Sequence, residues 1–207
     1  MDTPATQQGA PALVSRVTHW VNAVAIVMMI GSGWRIYNAS PFFPFALPSV
    51  LTLGNWLGGA LAIHFAMMWV LAASTAVYLL HGLLSGGLRR RLLPIRLGDV
   101  LRELRLALTF RLKHDTGRYN AVQRLMYIAV LAAIVLVIAS GLALWKPVQL
   151  RWLSLAFGGY EATRRVHFLA MAAIVGFLVV HLVLVAIVPR TLLTMLVGRT
   201  LRQETVS

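Results

Sequence analysis

Apolar positions along this chain gather into four long runs, separated by polar stretches of unequal length. The runs cover about residues 17–36 (VTHWVNAVAIVMMIGSGWRI), 56–84, 125–145 and 166–188. About 20 apolar residues in a helix rising 1.5 Å each are enough to cross a hydrocarbon core of roughly 30 Å. The pattern predicts an all-α integral membrane four-helix bundle, one domain over residues 1–207. The first connection, Asn38 to Asn55, has three prolines and no charge and is expected as a short re-entrant or surface segment. The second, 85–119, is the longest polar stretch, and its centre GDVLRELRLAL reads as a short amphipathic helix lying along the interface. The third, Lys146 to Arg165, reads as a short loop. Ser15 or Thr18 is a candidate cap for the first span.

Composition sharpens this picture. Charged residues are 12% of the chain and apolar ones 59%, with a mean hydropathy of +0.77; soluble domains carry about 25% charge. The absence of cysteine rules out disulfides, iron–sulfur ligation and thiolate-held haem in this chain. A net charge of +13 invites a nucleic-acid partner, but the basic residues flank apolar spans instead of decorating a soluble fold. Fourteen Lys or Arg lie on the side of the N-terminus, the region from Ser85 to Arg124 and the tail, against five on the other side: Arg35, Lys146, Arg151, Arg164 and Arg165. The positive-inside rule then places both termini and the 85–119 loop in the cytoplasm, with no nucleic-acid role. The opening MDTPATQQGAPALVS lacks the basic start and cleavage site of a signal peptide, so the first span is expected to be retained.

Histidines inside the runs are the chemical anomaly. His167 and His181 sit fourteen residues apart in the last run, a rise of about 21 Å with about 40° of phase difference, so both face one side of a helix. With the orientation above, His19 lies at the cytoplasmic end of span one and His64 in the outer half of span two. The four sort by depth into an inner pair, His19 with His181, and an outer pair, His64 with His167. Two bis-imidazole haem b sites at two depths fit that arrangement, since haem b takes axial nitrogens from opposite faces and a four-helix bundle supplies them from facing helices. A lone intramembrane histidine is as readily an interhelical hydrogen bonder. Zinc is disfavoured because no third or fourth ligand lies at either depth. His81 competes with His19 for the inner site but is less well phased with His64, while His114 reads as a solvated loop residue. Asn120 and Gln123, at the start of span three, could donate amide hydrogens to a quinone carbonyl, with Arg118 and Arg124 adding positive charge. Polar capping of that span is the plain alternative.

The opening RVTHW with Asn22 and Ala23, the histidine early in span two and the fourteen-residue spacing in span four carry a family likeness. They resemble the prokaryotic di-haem cytochrome b family. That family includes the cytochrome b subunits of nickel–iron hydrogenases, the gamma subunit of formate dehydrogenase, thiosulfate-reductase-type cytochromes and bacterial cytochrome b561 proteins. The likeness runs from Arg16 to about Pro189. It implies a bacterial inner-membrane protein with two non-covalent haem b groups, on His19/His181 and His64/His167. GRYNAVQRLMY is similar to the start of the third span in formate dehydrogenase gamma subunits, where an asparagine and a glycine line a quinone site. Asn120 matches the asparagine, and Val122 stands where the glycine would be. The implied role is electron transfer between a periplasmic oxidoreductase, of molybdopterin or nickel–iron type, and the ubiquinone or menaquinone pool near the cytoplasmic face. Flow from a periplasmic dehydrogenase to quinone and its reverse are chemically equivalent. No side chain is assigned a catalytic role, and homo-oligomers are compatible with the reading. The rival from the same family is a stand-alone superoxide:quinone oxidoreductase, whose basic outer rim (Lys146, Arg151, Arg164, Arg165) would attract the anion or else hold haem propionates. A transporter is disfavoured because no broken helix and no internal repeat is evident.

Overall fold

The computed structural model describes residues 13–88, 98, 102, 121–187 and 189–197. Four helices carry the apolar runs: α1 (Leu13–Ala39), α2 (Leu57–Leu84), α3 (Ala121–Trp145) and, after the short α4 (Arg151–Ala156), α5 (Tyr160–Ile187). A further helix, α6 (Arg190–Val197), follows α5. All four long helices have the length and apolarity to cross a membrane, with α5 the most hydropathic at 2.8. The expected all-α fold with four spans is borne out.

Helices α1, α3 and α5 begin before their apolar stretches, whereas α2 keeps within its own. Helix α5 begins six residues before Val166, because Gly158 and Gly159 adopt left-handed φ of 93° and 92° and release the chain from α4. Its first turn carries Glu161, favourable beside the unpaired amides of a helix start. The stretch read as a plain loop therefore holds α4 and the head of α5. Thr18 is not a cap either: it lies a full turn inside α1, and its hydroxyl donates to Val14 O at 2.7 Å. A helix under way at Leu13 has satisfied these amides internally.

Helices α1 and α2 form one closely packed hairpin and α3 with α5 a second. Core residues Ile134, Val137, Ala170 and Ile174 zip the second hairpin, and Ile26 of α1 packs against them. Trp145 of α3 meets Phe65 and Trp69 of α2. Thus α1 borders α5 and α2 borders α3, which leaves an interior onto which all four helices face.

The 40–56 connection re-enters. Asn38 pins Leu47 through paired hydrogen bonds of 2.8 and 2.9 Å, and the buried Tyr37 hydroxyl donates to Phe45 O at 2.9 Å. The chain then runs back along α1 until Leu53 N donates to Gly31 O at 3.0 Å, about 12 Å inside the helix end by helical rise. Gly31 admits it, since a Cβ there would stand 2.8 Å from Leu53 Cγ. Non-helical backbone at that depth needs its polar groups paired, and the Leu53 N–H is. Gly54 (φ 101°) and Asn55 (φ 53°) then turn the chain into α2. On the opposite face, Arg16 Nε donates to Met195 O at 3.1 Å, and its Nη2 reaches Leu196 O, so the foot of α1 holds the last turn of α6. Of the expected amphipathic helix within 85–119 only Gly98 and Arg102 lie among the described residues, both helical, and His114 lies outside them.

Candidate histidine-pair centres

Two faces define the bundle's ends: a loop face, with the 40–56 connection and α4, and a terminal face, with the start of α1 and α6. The histidines meet across the interior at both levels. Near the loop face, the ring centres of His64 (α2) and His167 (α5) lie 6.2 Å apart, at an interplanar angle of 68°. Near the terminal face, His19 (α1) and His181 (α5) lie 6.1 Å apart at 66°. Helix α5 contributes to both pairs. No ring contact involves His81 among the described residues, though it too is half-buried on α2.

The loop-face pair is built twice over on the same plan. Ser32 and Ser140 are both fully buried, at 0% exposure. Ser32 Oγ donates to Met28 O at 2.7 Å and lies 3.1 Å from His64 Nδ1. Ser140 Oγ donates to Leu136 O at 2.7 Å and lies 3.0 Å from His167 Nδ1. The residue after each serine is glycine, and each glycine meets the same ring's edge: a Cβ would stand 3.3 Å from His64 Cε1 at Gly33 and 3.1 Å from His167 Cε1 at Gly141. A Ser-Gly step on the first helix of each hairpin therefore seats a histidine on the second helix. No repeat was evident from the sequence, and this one spans only two residues in each half.

The terminal-face pair is seated differently. Trp20 lies edge-on to His19 at 5.4 Å, and Phe177, one turn before His181, stacks on it at 5.7 Å and 13°. Neither ring has a hydrogen bond among the described residues. On that side of α1, Asn22 Oδ1 is buried with no hydrogen-bond partner among the described residues, as is Thr75 Oγ1 on α2. Orphaned polar atoms of this kind cost about 1–3 kcal/mol each unless something meets them.

Each level offers two imidazoles among the described residues. Among the described residues there is no group of three or more His, Cys, Asp or Glu able to hold a metal ion by itself. Gln123 sits exposed in the first turn of α3, and Asn120 lies outside the described residues. The loop-face cations are partly spoken for. Arg164 pairs with Glu161 at 3.1 Å, donates to Ser40 O at 2.6 Å and lies 5.1 Å from the centre of Phe42. Arg35 donates to Asn55 O, and Lys146 Nζ lies 4.5 Å from the centre of the Trp145 ring.

A membrane-spanning four-helix protein with stacked interhelical histidine pairs is the class that fold and site together define. Comparison with known families gives the particular one: residues 12–198 match the model of the prokaryotic cytochrome b561 family, and the chain belongs to that family. It is also 50% identical over 184 residues to a protein of Azospira oryzae. That relative bears the provisional name protein-methionine-sulfoxide reductase subunit YedZ1, and the match covers 88% of this chain and 93% of the relative. The resemblance drawn from RVTHW and the histidine spacing is thereby confirmed. The chain is a multi-pass protein of the bacterial inner membrane, a small membrane component of electron transfer near the quinone pool and an accessory subunit of a redox system.

Proposed function

We propose that this protein is a di-haem b electron conduit, a single membrane domain linking quinol on the cytoplasmic side to a periplasmic reductase. The observation that carries the reading is the pair of cross-helix imidazole contacts, 6.1 and 6.2 Å between ring centres, stacked along α5. Two imidazoles on either side of one metal ion, bonded at about 2.0–2.1 Å through nitrogens about 1.1 Å from the ring centre, have centres about 6.3 Å apart. Both levels match that separation. Donor chemistry points the same way, since two opposed histidines without a third protein ligand suit a metal whose other positions are filled by a macrocycle. His64 and His167 would hold one haem, His19 and His181 the other, and each bound group would supply a one-electron carrier at its depth.

The protein's own contribution is position and environment. Helix α5 sets the vertical separation at about 21 Å by its fourteen-residue spacing. Asn22 and Thr75, unpartnered on the terminal-face side, offer polar atoms to whatever fills the interior there. The excess of Lys and Arg on the side of the termini supports a cytoplasmic position for the terminal face. On that reading Gln123, in the first turn of α3, lies at the end from which a quinol carrier would approach, and Asn120, outside the described residues, is a further candidate by its position in the sequence. The relative's name favours delivery of electrons outward, toward a periplasmic reductase acting on oxidised methionine, over the reverse flow from a dehydrogenase. The superoxide reading draws less support, because Arg164 is engaged with Glu161, Ser40 and Phe42 and so is poorly placed to attract an anion.

Purified protein should show a reduced-minus-oxidised spectrum of b-type haem with two haems per chain. In proteoliposomes, quinol should reduce both, and a co-reconstituted periplasmic reductase should reoxidise them with a methionine sulfoxide substrate. A chain that binds no haem when supplied with it would sink the proposal. Haem that superoxide reduces, and quinol does not, would favour the stand-alone rival.

A further inference from the structure

We propose that Ser32 and Ser140 are positioning residues that fix the tautomer and orientation of His64 and His167, and so tune the loop-face site apart from the terminal-face one. A serine hydroxyl has one hydrogen. In both residues it is directed at a main-chain carbonyl four residues back, at 2.7 Å, and a carbonyl can only accept. The oxygen therefore faces the neighbouring imidazole, 3.1 and 3.0 Å away, with lone pairs alone. The proton in each contact belongs to Nδ1 of the histidine. Nε2 is left unprotonated on both rings, the form in which imidazole binds a metal.

This reading goes beyond the proposed haem sites and rests on them for its redox consequence, though not for the tautomer. Donation from Nδ1–H makes the imidazole a stronger donor through Nε2 and locks its plane. A stronger donor would favour the oxidised form of a metal held there, so the loop-face site would have a lower potential than without the serines. The terminal-face rings of His19 and His181 have no such partner among the described residues and rest instead on Trp20 and Phe177. Burial makes the device dependable: both serines have 0% exposure, so bulk water does not compete for either hydroxyl. The adjoining glycines, Gly33 and Gly141, bring the main chain against each ring edge and leave it little room to turn.

The test compares Ser32→Ala, Ser140→Ala and the double variant with Thr18→Ala. Thr18 also loses a back-bonded hydroxyl on α1, one bound to Val14 O with no imidazole on it. Redox titration of haem-loaded protein should show the loop-face potential rising in each serine variant and rising furthest in the double one. The terminal-face potential should stay put, and Thr18→Ala should leave the loop-face potential unchanged. Haem affinity at the loop-face site should fall tenfold or more, the usual cost of losing a partner behind a ligating histidine. Ser32→Cys, which keeps the volume with a poorer acceptor, should shift the potential in the same direction if an alanine variant folds badly. Serine variants with unchanged potential, ligand-field EPR signature and affinity would overturn the proposal. Independently of haem, ¹⁵N NMR of histidine in the haem-free protein should find His64 and His167 as the Nδ1–H tautomer. Loss of that preference on removing the serine supports the assignment, and its absence in the parent protein refutes it. Should the protein bind no haem, this NMR arm still decides the serine contact while the conduit reading fails separately.

Discussion

Adding one methyl group at Gly141 isolates the seating of the loop-face histidines. A Cβ there would stand 3.1 Å from His167 Cε1. Carbon atoms are comfortable at about 3.5 Å or more, so the ring must give by about 0.4 Å. It cannot stay on α3, because Ser140 Oγ already holds Nδ1 at 3.0 Å on that side. A ring pushed off α3 stretches this bond and closes the 6.2 Å between its centre and that of His64. Overpacking of a seated side chain costs about 1–3 kcal/mol, a factor of roughly 5 to 150 in occupancy of the loop-face site. Gly33→Ala requires a smaller adjustment, its Cβ lying 3.3 Å from His64 Cε1, and should cost less. Gly176 on the same α5 is the control: nothing lies within 4 Å of a Cβ there, so Gly176→Ala should leave binding alone and should stabilise the helix by up to about 1 kcal/mol. The assay is haem titration of the purified variants in detergent, with the two sites separated by their potentials. Full loop-face occupancy in Gly141→Ala, with an unchanged spectrum, would refute the idea that the ring is clamped between Ser140 and the α3 main chain.

Other perturbations read different parts of the molecule. His64→Ala or His167→Ala should remove the loop-face haem, and His19→Ala or His181→Ala the terminal-face one. His81→Ala should retain both, as haem stoichiometry would show; a one-haem His81→Ala protein would reassign the terminal-face pair. Arg164→Ala releases Ser40 O and the Phe42 face, and limited proteolysis within 41–47 should accelerate while the haem spectrum stays constant. Its ion pair with the well-exposed Glu161 should add no more than about 1 kcal/mol. Tyr37→Phe removes the bond from the buried Tyr37 hydroxyl to the main chain of the half-exposed Phe45, and thermal unfolding should show a loss of about 0.5–1.5 kcal/mol. Arg16→Ala should speed amide exchange in the last turn of α6, whose Met195 and Leu196 carbonyls it holds, and leave α5 protected.

The four spans were legible because a bilayer imposes one dominant requirement, apolar length, that composition reports directly. Helix ends were not. The start of α5 depends on left-handed backbone at Gly158 and Gly159, and Glu161, Arg164 and Arg165 look like loop residues until that turn is known. Re-entry of the 40–56 segment was open between two readings, and only the bond from Leu53 N to Gly31 O selects between them. The seating serines were missed altogether. A serine in an apolar helix reads as a small packing residue, and back-bonding to the previous turn is available to any of them. The faint signal was the shared Ser-Gly step at 32–33 and 140–141, one in the first helix of each hairpin.

By itself, then, the sequence determined the membrane class, the number of spans, the family likeness and the histidines that share a helix face, since hydropathy and helical phase are local properties of the chain. Tertiary structure brought the rings paired by depth to 6.1 and 6.2 Å of one another and decided what stands behind them. Distances between helices depend on how the two hairpins pack, and no periodicity within a single helix encodes the gap to its neighbour.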